Sequence, residues 1–395
     1  MKKDVQQERQ WAVKRVFDGE HIDSICVSLG RSRAWLYKWV ERSLQDEPAW
    51  YKSQSRRPHT SPLHTSGEIE EIVKIVRLNL YNRDLFCGDQ AIRWELEEMG
   101  IKPLPSLRTI SRILDREGLT HRRTGKYEPK GKWYPVLPAL MPNQSHQADF
   151  VGPRHLKGPF RFYSLNAVDI RTGRCAVEPL QSRKGQSIID GFWAIWARMG
   201  IPENIQVDNE MSFFGSPIHP RGMGPLIRLC LHHNVEPWFI PPSEPWRNGV
   251  IEKFNDHYQQ KFLNKIPMAT EADLKQASLG FEHKHNSCYR YSKLRGQTPM
   301  QSLAMANKPL KFPDREAPRY PLKKPKKGAY HLVRYIRSDS RLNIFGEMFP
   351  VSPELQYEYV VATIVVKEQK LKLFLADDHI AGRLKQSALK GLFSS

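Results

Sequence analysis

Three acidic residues, each in a distinctive setting, constrain this chain more than any other feature. Asp149 lies in His146-Gln147-Ala148-Asp149-Phe150 and Asp208 in Ile205-Gln206-Val207-Asp208-Asn209-Glu210. Glu252 lies in Pro245-Trp246-Arg247-Asn248-Gly249-Val250-Ile251-Glu252-Lys253-Phe254-Asn255. The first two interrupt or end apolar runs that read as strands; the third opens a helix after a Pro-rich turn containing Gly. A carboxylate inside an apolar strand is costly unless something cationic compensates it. Three brought together repel one another, so they imply bound divalent metal. Such an arrangement serves two-metal phosphodiester chemistry, with one cation on the attacking oxygen and one on the leaving oxygen.

Charge points the same way. The 395 residues carry a formal net charge of +19, which favours a polyanionic partner. The basic excess is spread out, at +6 for residues 1–134, +6 for 135–309 and +7 for 310–395. A chain of this length holds two to four domains. Five scattered cysteines, none spaced as a ligand pair, exclude a disulfide framework or zinc knuckle and suit a reducing cytoplasm. His232-His233 has no companion pair at zinc-finger spacing and reads as a helix-surface pair. No apolar run approaches the ~20 residues of a membrane span, and the Met-Lys-Lys start is not followed by an apolar leader. A soluble, cytoplasmic protein without a membrane partner is expected.

Two helical units precede the acids. Residues 1–45 read as a helix-turn-helix: Trp11, Ala12 and Val16, then Ile22, Ile25, Cys26 and Leu29, then Leu36, Trp39 and Val40 give three apolar faces, with Gly30 at the tight bend. Arg31, Arg33, Trp35, Lys38 and Arg42 lie opposite the buried stripe of the third helix, as a recognition helix requires; a small bundle with a solvated basic face is the plainer alternative. After a linker at 45–66, residues 67–120 read as a second helix-turn-helix, winged or not, with Ser106 as an N-cap. There Arg108, Arg112 and Arg116 are expected to face phosphates. Residues 121–134, with Arg122 and Arg123, form a basic tether.

From 135 to 309 the period shifts. Three short β-rich runs, then alternating helix and strand, argue for a mixed α/β sheet flanked by helices, with Arg247–Leu263 as the helix that bears Glu252. Residues 311–328 read as a flexible basic linker, and 329–385 as a small β-barrel.

The three acid motifs, the run from Ile240 to Asn255, and Gly88–Leu96 with Pro105–Leu114 resemble the DDE transposases of bacterial insertion sequences, whose catalytic core is similar to that of retroviral integrases. The resemblance covers nearly the whole chain. It implies an RNase H-like core and catalysis by Asp149, Asp208 and Glu252, which hold two Mg²⁺ or Mn²⁺ ions. The partner implied is double-stranded DNA, both the element's terminal inverted repeats and the target, bound by a homo-oligomer. Metal-assisted hydrolysis frees a 3′-OH at the element end, and that hydroxyl joins target DNA. Arg247, Asn248 and Lys253 are expected near the DNA, with Asn209 and Trp246 supporting the site. Two departures stand out. Many members carry Gly where this chain has Glu210, and the basic residue often found two turns after the Glu is here Gln259, with Lys261 off that face.

Each acid has a structural alternative: Asp208-Asn209 capping a turn, Glu252 complementing a helix dipole. Two other functions fit the same elements, namely a DNA-binding regulator with an idle integrase fold and an RNase H-like nuclease. Intact acids at all three positions disfavour the first, and two N-terminal DNA readers disfavour the second.

Overall fold

A computed structural model describes residues 5–45, 48–54, 65–120, 134–156, 160–215, 222–265, 270–314 and 316–375. The chain divides into two units, Met1–Thr65 and Ser66–Ser395.

The first unit holds α1 (Val5–Phe17), α2 (Ile22–Leu29) and α3 (Arg33–Ser43), closed around Ala12, Ile25, Cys26 and Leu36. Gly30 ends α2 in the left-handed region at φ 63°, where a Cβ would be strained. Ser32 then caps α3, its hydroxyl accepting from the Trp35 N–H at 3.2 Å. Trp11, expected on the apolar face, is instead 53% exposed with the Arg15 guanidinium over its ring; Val13 is buried in its place.

The second unit begins with α4 (Gly67–Asn82), α5 (Asp89–Glu98) and α6 (Leu107–Arg116), and no strand forms a wing among the described residues of 67–120. Their apolar stripes, including Val73, Ile92, Leu96 and Ile110, share one cluster with Tyr289 from far along the chain. Tyr289 donates its hydroxyl to the Asp84 carbonyl at 2.6 Å, and its ring meets Phe86 edge-on at 4.8 Å. These helices are therefore anchored to the body that follows. The tether at 121–133, with Arg122 and Arg123, lies outside the described residues.

That body is a mixed sheet. β1 (Ser145–His155), β2 (Arg161–Asp169) and β3 (Cys175–Leu180) pair antiparallel; α7 (Gln186–Met199) leads to β4 (Asn204–Val207), and α8 (Met211–Phe214) and α9 (Pro225–His232) lead to β5 (Glu236–Phe239). β4 runs parallel to β1, and β5 parallel to β4. Alternation sends Ala148, Ile205 and Val207 to one face, packed with α7 and α9. Val151, Phe162 and Val177 go to the other face, under α10 (Gly249–Tyr258) and α11 (Glu271–Cys288).

Three expectations change. The helix over Arg247–Leu263 is not continuous: a 3₁₀ turn (Pro245–Asn248) precedes α10, and a π-helical turn (Gln259–Leu263) follows it. Beyond α12 (Pro299–Ala306), described residues of the expected linker are bonded to the body rather than loose. Lys311 O accepts from Ile201 N at 2.7 Å, and Leu322 O from the Arg228 guanidinium at 2.8 Å. Finally, the described strands of 329–385 do not close on themselves as a barrel. β6 (Ala329–Tyr335), β9 (Tyr359–Val365) and β10 (Lys370–Leu375) extend the core sheet, β6 running parallel to β5, while β7 (Arg341–Ile344) and β8 (Glu347–Pro350) form a separate hairpin. Exposed main-chain groups at the edge of β5 are what β6 satisfies. No described helix is long and apolar enough to cross a membrane.

Removing residues 1–65 is expected to leave a cooperatively unfolding protein, whereas truncation at residue 120 strips the cover from Tyr289. Tyr289→Ala should cost about 3–5 kcal/mol through the cavity left in the shared cluster. Urea unfolding of both truncations and the variant checks this; a Tyr289→Ala protein as stable as the wild type would show that the helices do not depend on that contact.

Candidate active site

Strand register brings the first two acids level. Ser145 pairs with Asn204 and Gln147 with Gln206 between parallel β1 and β4. Continued by two residues, the same register sets Asp149 beside Asp208, on strands ~4.8 Å apart. Because side chains alternate, Gln147 and Asp149 share a face, as do Gln206 and Asp208, and that face carries α10.

The two glutamines hold the helix that bears the third acid. Gln147 Oε1 accepts from the N–H groups of Val250 and Ile251, both at 3.0 Å, satisfying donors that the first turn of α10 leaves unpaired. Gln206 Nε2 donates to the Arg247 carbonyl at 2.9 Å. Asn255, one turn beyond Glu252, donates to Asp149 Oδ2 at 2.9 Å and accepts from Asn166 Nδ2 at 2.8 Å. Thus Gln147, Gln206, Asn166 and Asn255 position the site. Three of them stood in the quoted motifs, but only the pairing gives them partners.

The carboxylates are uncomfortable where they stand. Burial, then the charge of Asp208, pushes Asp149 up to about 7, with Glu210 and Glu252 adding to the rise and the Phe150 N–H opposing it. Burial also raises Asp208 and Glu210, against the Arg183 charge, and raises Glu252 with help from Asp256. Asp149, Asp208 and Glu210 line a cavity of 1430 Å³ together with Arg161, Arg183 and Lys184; Glu252 stands outside its lining. Among the described residues no group of three or more His, Cys, Asp or Glu side chains is set to hold a metal ion. The donor chemistry nevertheless fits a hard divalent cation: oxygens only, half-buried, with the charges of the others raising Asp149.

The remaining expected residues scatter. Asn209 donates to the Ile240 carbonyl and accepts from the buried Arg334 at 3.0 Å, which ties the Asp208 loop to β6. Arg247 was expected at the DNA but is engaged within the protein: it bonds Glu244 and the Tyr359 hydroxyl, both at 3.0 Å, and its guanidinium lies over the Tyr134 ring. Asn248, 3% exposed, donates to the Ala148 carbonyl at 3.3 Å. Trp246, expected to support the loop, is 46% exposed. Lys253 is exposed beside Glu252. Gln259 accepts from Arg154 at 2.6 Å, and Lys261 lies over Tyr81. His232 bonds the Lys323 carbonyl, and His233 packs on Trp193.

The candidate recognition residues are described within their own helical units. Arg31 pairs with Glu8 at 2.8 Å and Arg33 with Asp23; Trp35 is half-buried and Lys38 exposed. Arg108 and Arg112 are exposed on α6, and Arg116 pairs with Glu70.

No protein-family model matches the chain. Among solved structures it is similar to the HTLV-2 integrase catalytic core domain in complex with magnesium, in its dimeric form (19% identity, 42% of this chain and 99% of that one, TM-score 0.33). The trimeric form is similar at 18% identity, over 42% and 98%, with a TM-score of 0.33. The simian T-cell lymphotropic virus intasome in complex with PP2A regulatory subunit B56 gamma is similar at 15% identity, over 73% of this chain and 88% of that one, with a TM-score of 0.36. At such values the chemistry rests on the carboxylates themselves.

Asp149→Asn is expected to stabilise the protein in EDTA. The folded state holds the Asp149 proton up to about pH 7 and the unfolded state only to about 4, so ionisation penalises the fold progressively across that window and fully above it. The variant should gain about 1–4 kcal/mol at pH 8 and nothing at pH 4. Urea titrations at the two pH values read the difference directly. An equal change at both would dissociate Asp149 from any charge cost.

Proposed function

We infer that the chain is a polynucleotidyl transferase of the DDE type, acting as a DNA transposase. One observation carries the reading: Asp149 on β1 and Asp208, one residue past the end of parallel β4, each follow by two residues the paired Gln147 and Gln206, and those glutamines bond the segment that opens the Glu252 helix. Nothing in ordinary folding rewards that concentration of negative charge, which costs stability. Asp149, Asp208 and Glu252 would hold two Mg²⁺ or Mn²⁺ ions as anionic oxygen donors. When bound, such cations polarise a phosphoryl oxygen and make an attacking water or hydroxyl more acidic.

The rest of the work belongs to the chain's own groups. A phosphodiester at an element end is hydrolysed to leave a 3′-OH, which then attacks a phosphate of target DNA, exchanging one P–O bond for another. Neither step needs a covalent protein–DNA bond, so no Ser or Tyr nucleophile is called for. Positioning dominates catalysis of this type. The basic side of the cavity, Arg161, Arg183 and Lys184, would receive the phosphates that flank the scissile one. Exposed Lys38, Arg108, Arg112 and Lys253 would add sequence-independent contacts, and α3 and α6 would read the terminal repeats. Assembly of several copies on the paired ends belongs to the same reading.

Asp149→Asn, Asp208→Asn and Glu252→Gln should each remove joining activity with Mg²⁺ or Mn²⁺ on DNA carrying the inverted repeats that flank the gene. Binding to those repeats should change less than about threefold, because affinity is spread over many Lys and Arg contacts. Strand-transfer assays and gel shifts on the same preparations decide the matter. Joining retained by any one variant takes that residue out of the site.

A further inference from the structure

We propose that Arg183 grips the DNA backbone inside the catalytic cavity, and that Glu210 holds its guanidinium until a strand arrives. The proposal deepens the polynucleotidyl-transferase reading and rests on it. Arg183 follows β3 in the connection to α7, and its guanidinium lies over the Tyr163 ring at 4.7 Å and the Phe150 ring at 6.0 Å. Phe150 is the neighbour of Asp149. Nη1 donates to Glu210 Oε1, two residues beyond Asp208, and among the described residues Nε and Nη2 make no bond to protein.

This is a cation whose charge reaches Asp208 as well as Glu210, yet it is only half committed. Two aromatic rings lie beside it, which narrows the freedom left to be lost on binding. Its open edge offers two parallel N–H groups, the fork that matches two phosphate oxygens. Lys184 and Arg161 line the same wall, and Arg161 also lies over the Tyr163 ring, at 5.1 Å. Glu210 stands where its carboxylate imitates the charge and span of a phosphodiester. A permanent ion pair would need no open edge towards a DNA-sized cavity. An exchangeable one keeps the guanidinium aimed, and it stops the cavity from capturing stray anions.

A double-mutant cycle on binding tests this, using the full chain, a short duplex of arbitrary sequence as probe, and Ca²⁺ present so that no strand is cut. Glu210→Gln releases Arg183 and should tighten binding about tenfold, with the salt dependence steeper by about one counterion. Arg183→Gln should weaken binding, with a slope shallower by about one, and Arg183→Lys should fall between. In the Arg183→Gln background, Glu210→Gln should add nothing. The same gain in both backgrounds would overturn the proposal, since Glu210 would then merely repel DNA as an anion; so would wild-type binding by Arg183→Gln. Circular dichroism melts report folding, and if Arg183→Gln fails to fold, the cycle is read with Arg183→Lys. Because it reads binding alone, an additive cycle beside an inactive Asp149→Asn removes only Arg183. Joining activity in Asp149→Asn would instead remove the reaction.

Discussion

The parallel register between β1 and β4 is the constraint on which the rest depends. It places Gln147 beside Gln206, and the next same-face residues are Asp149 and Asp208. One pair of strands thus presents, on one face, two amides that seize a helix and two carboxylates that need a cation. A slip of one residue in either strand would turn its amide and its carboxylate into the apolar cluster under α7 and α9. The apolar residues between them, Ala148, Ile205 and Val207, are fixed in that cluster, so the core itself locks the acids in place.

The face beneath α10 is consequently not a simple apolar interface. Ile251, Phe254 and Tyr258 bury against Val151 and Phe162, but on the side towards the acids the contacts are amides: Asn248, Asn255 and Asn166 with the two glutamines. Buried amides are tolerated because each finds a partner, and a satisfied network gives a unique geometry that apolar packing alone does not specify. Stability given up to the crowded carboxylates is offset by these bonds and by the two cores on either side. That division, with precision at the strand ends and bulk stability away from them, is expected of a site that must hold charge.

Much of this was legible in the residues. The acids announced themselves because carboxylates are out of place in apolar strands, and the period-2 and period-3.6 patterns placed β1 to β5 and α7, α9 and α10 close to where they fall. Helices α8 and α11 went unread, and what failed otherwise were judgements needing long-range pairing. Arg247 read as a DNA contact because an exposed-looking basic residue preceded Glu252; its partners, Tyr134 and Tyr359, are distant in sequence. The strands beyond 329 read as a barrel because short strands with tight turns look alike whether they close or extend a neighbour's sheet. Trp11 read as core on its apolar character alone, but two positions from the buried Val13 is about 200° around the helix, which turns it to the other face.

The C-terminal strands change the meaning of the site. β6 carries Arg334, 8% exposed, whose Nη2 donates to Asn209 beside Asp208 and whose burial brings it down to about 10. β9 carries Tyr359, whose hydroxyl bonds Glu244 and Arg247 just ahead of the Glu252 helix. The segments bearing the second and third acids are thus each fastened from behind by a side chain of the added strands. A guanidinium that deep keeps its charge only because carbonyls of Val333, Ile240 and Asn343 surround it, and those carbonyls come from β6, the end of β5 and the hairpin together. Extending the sheet past β5 therefore braces the acid-bearing segments with bonds additional to those of the glutamines.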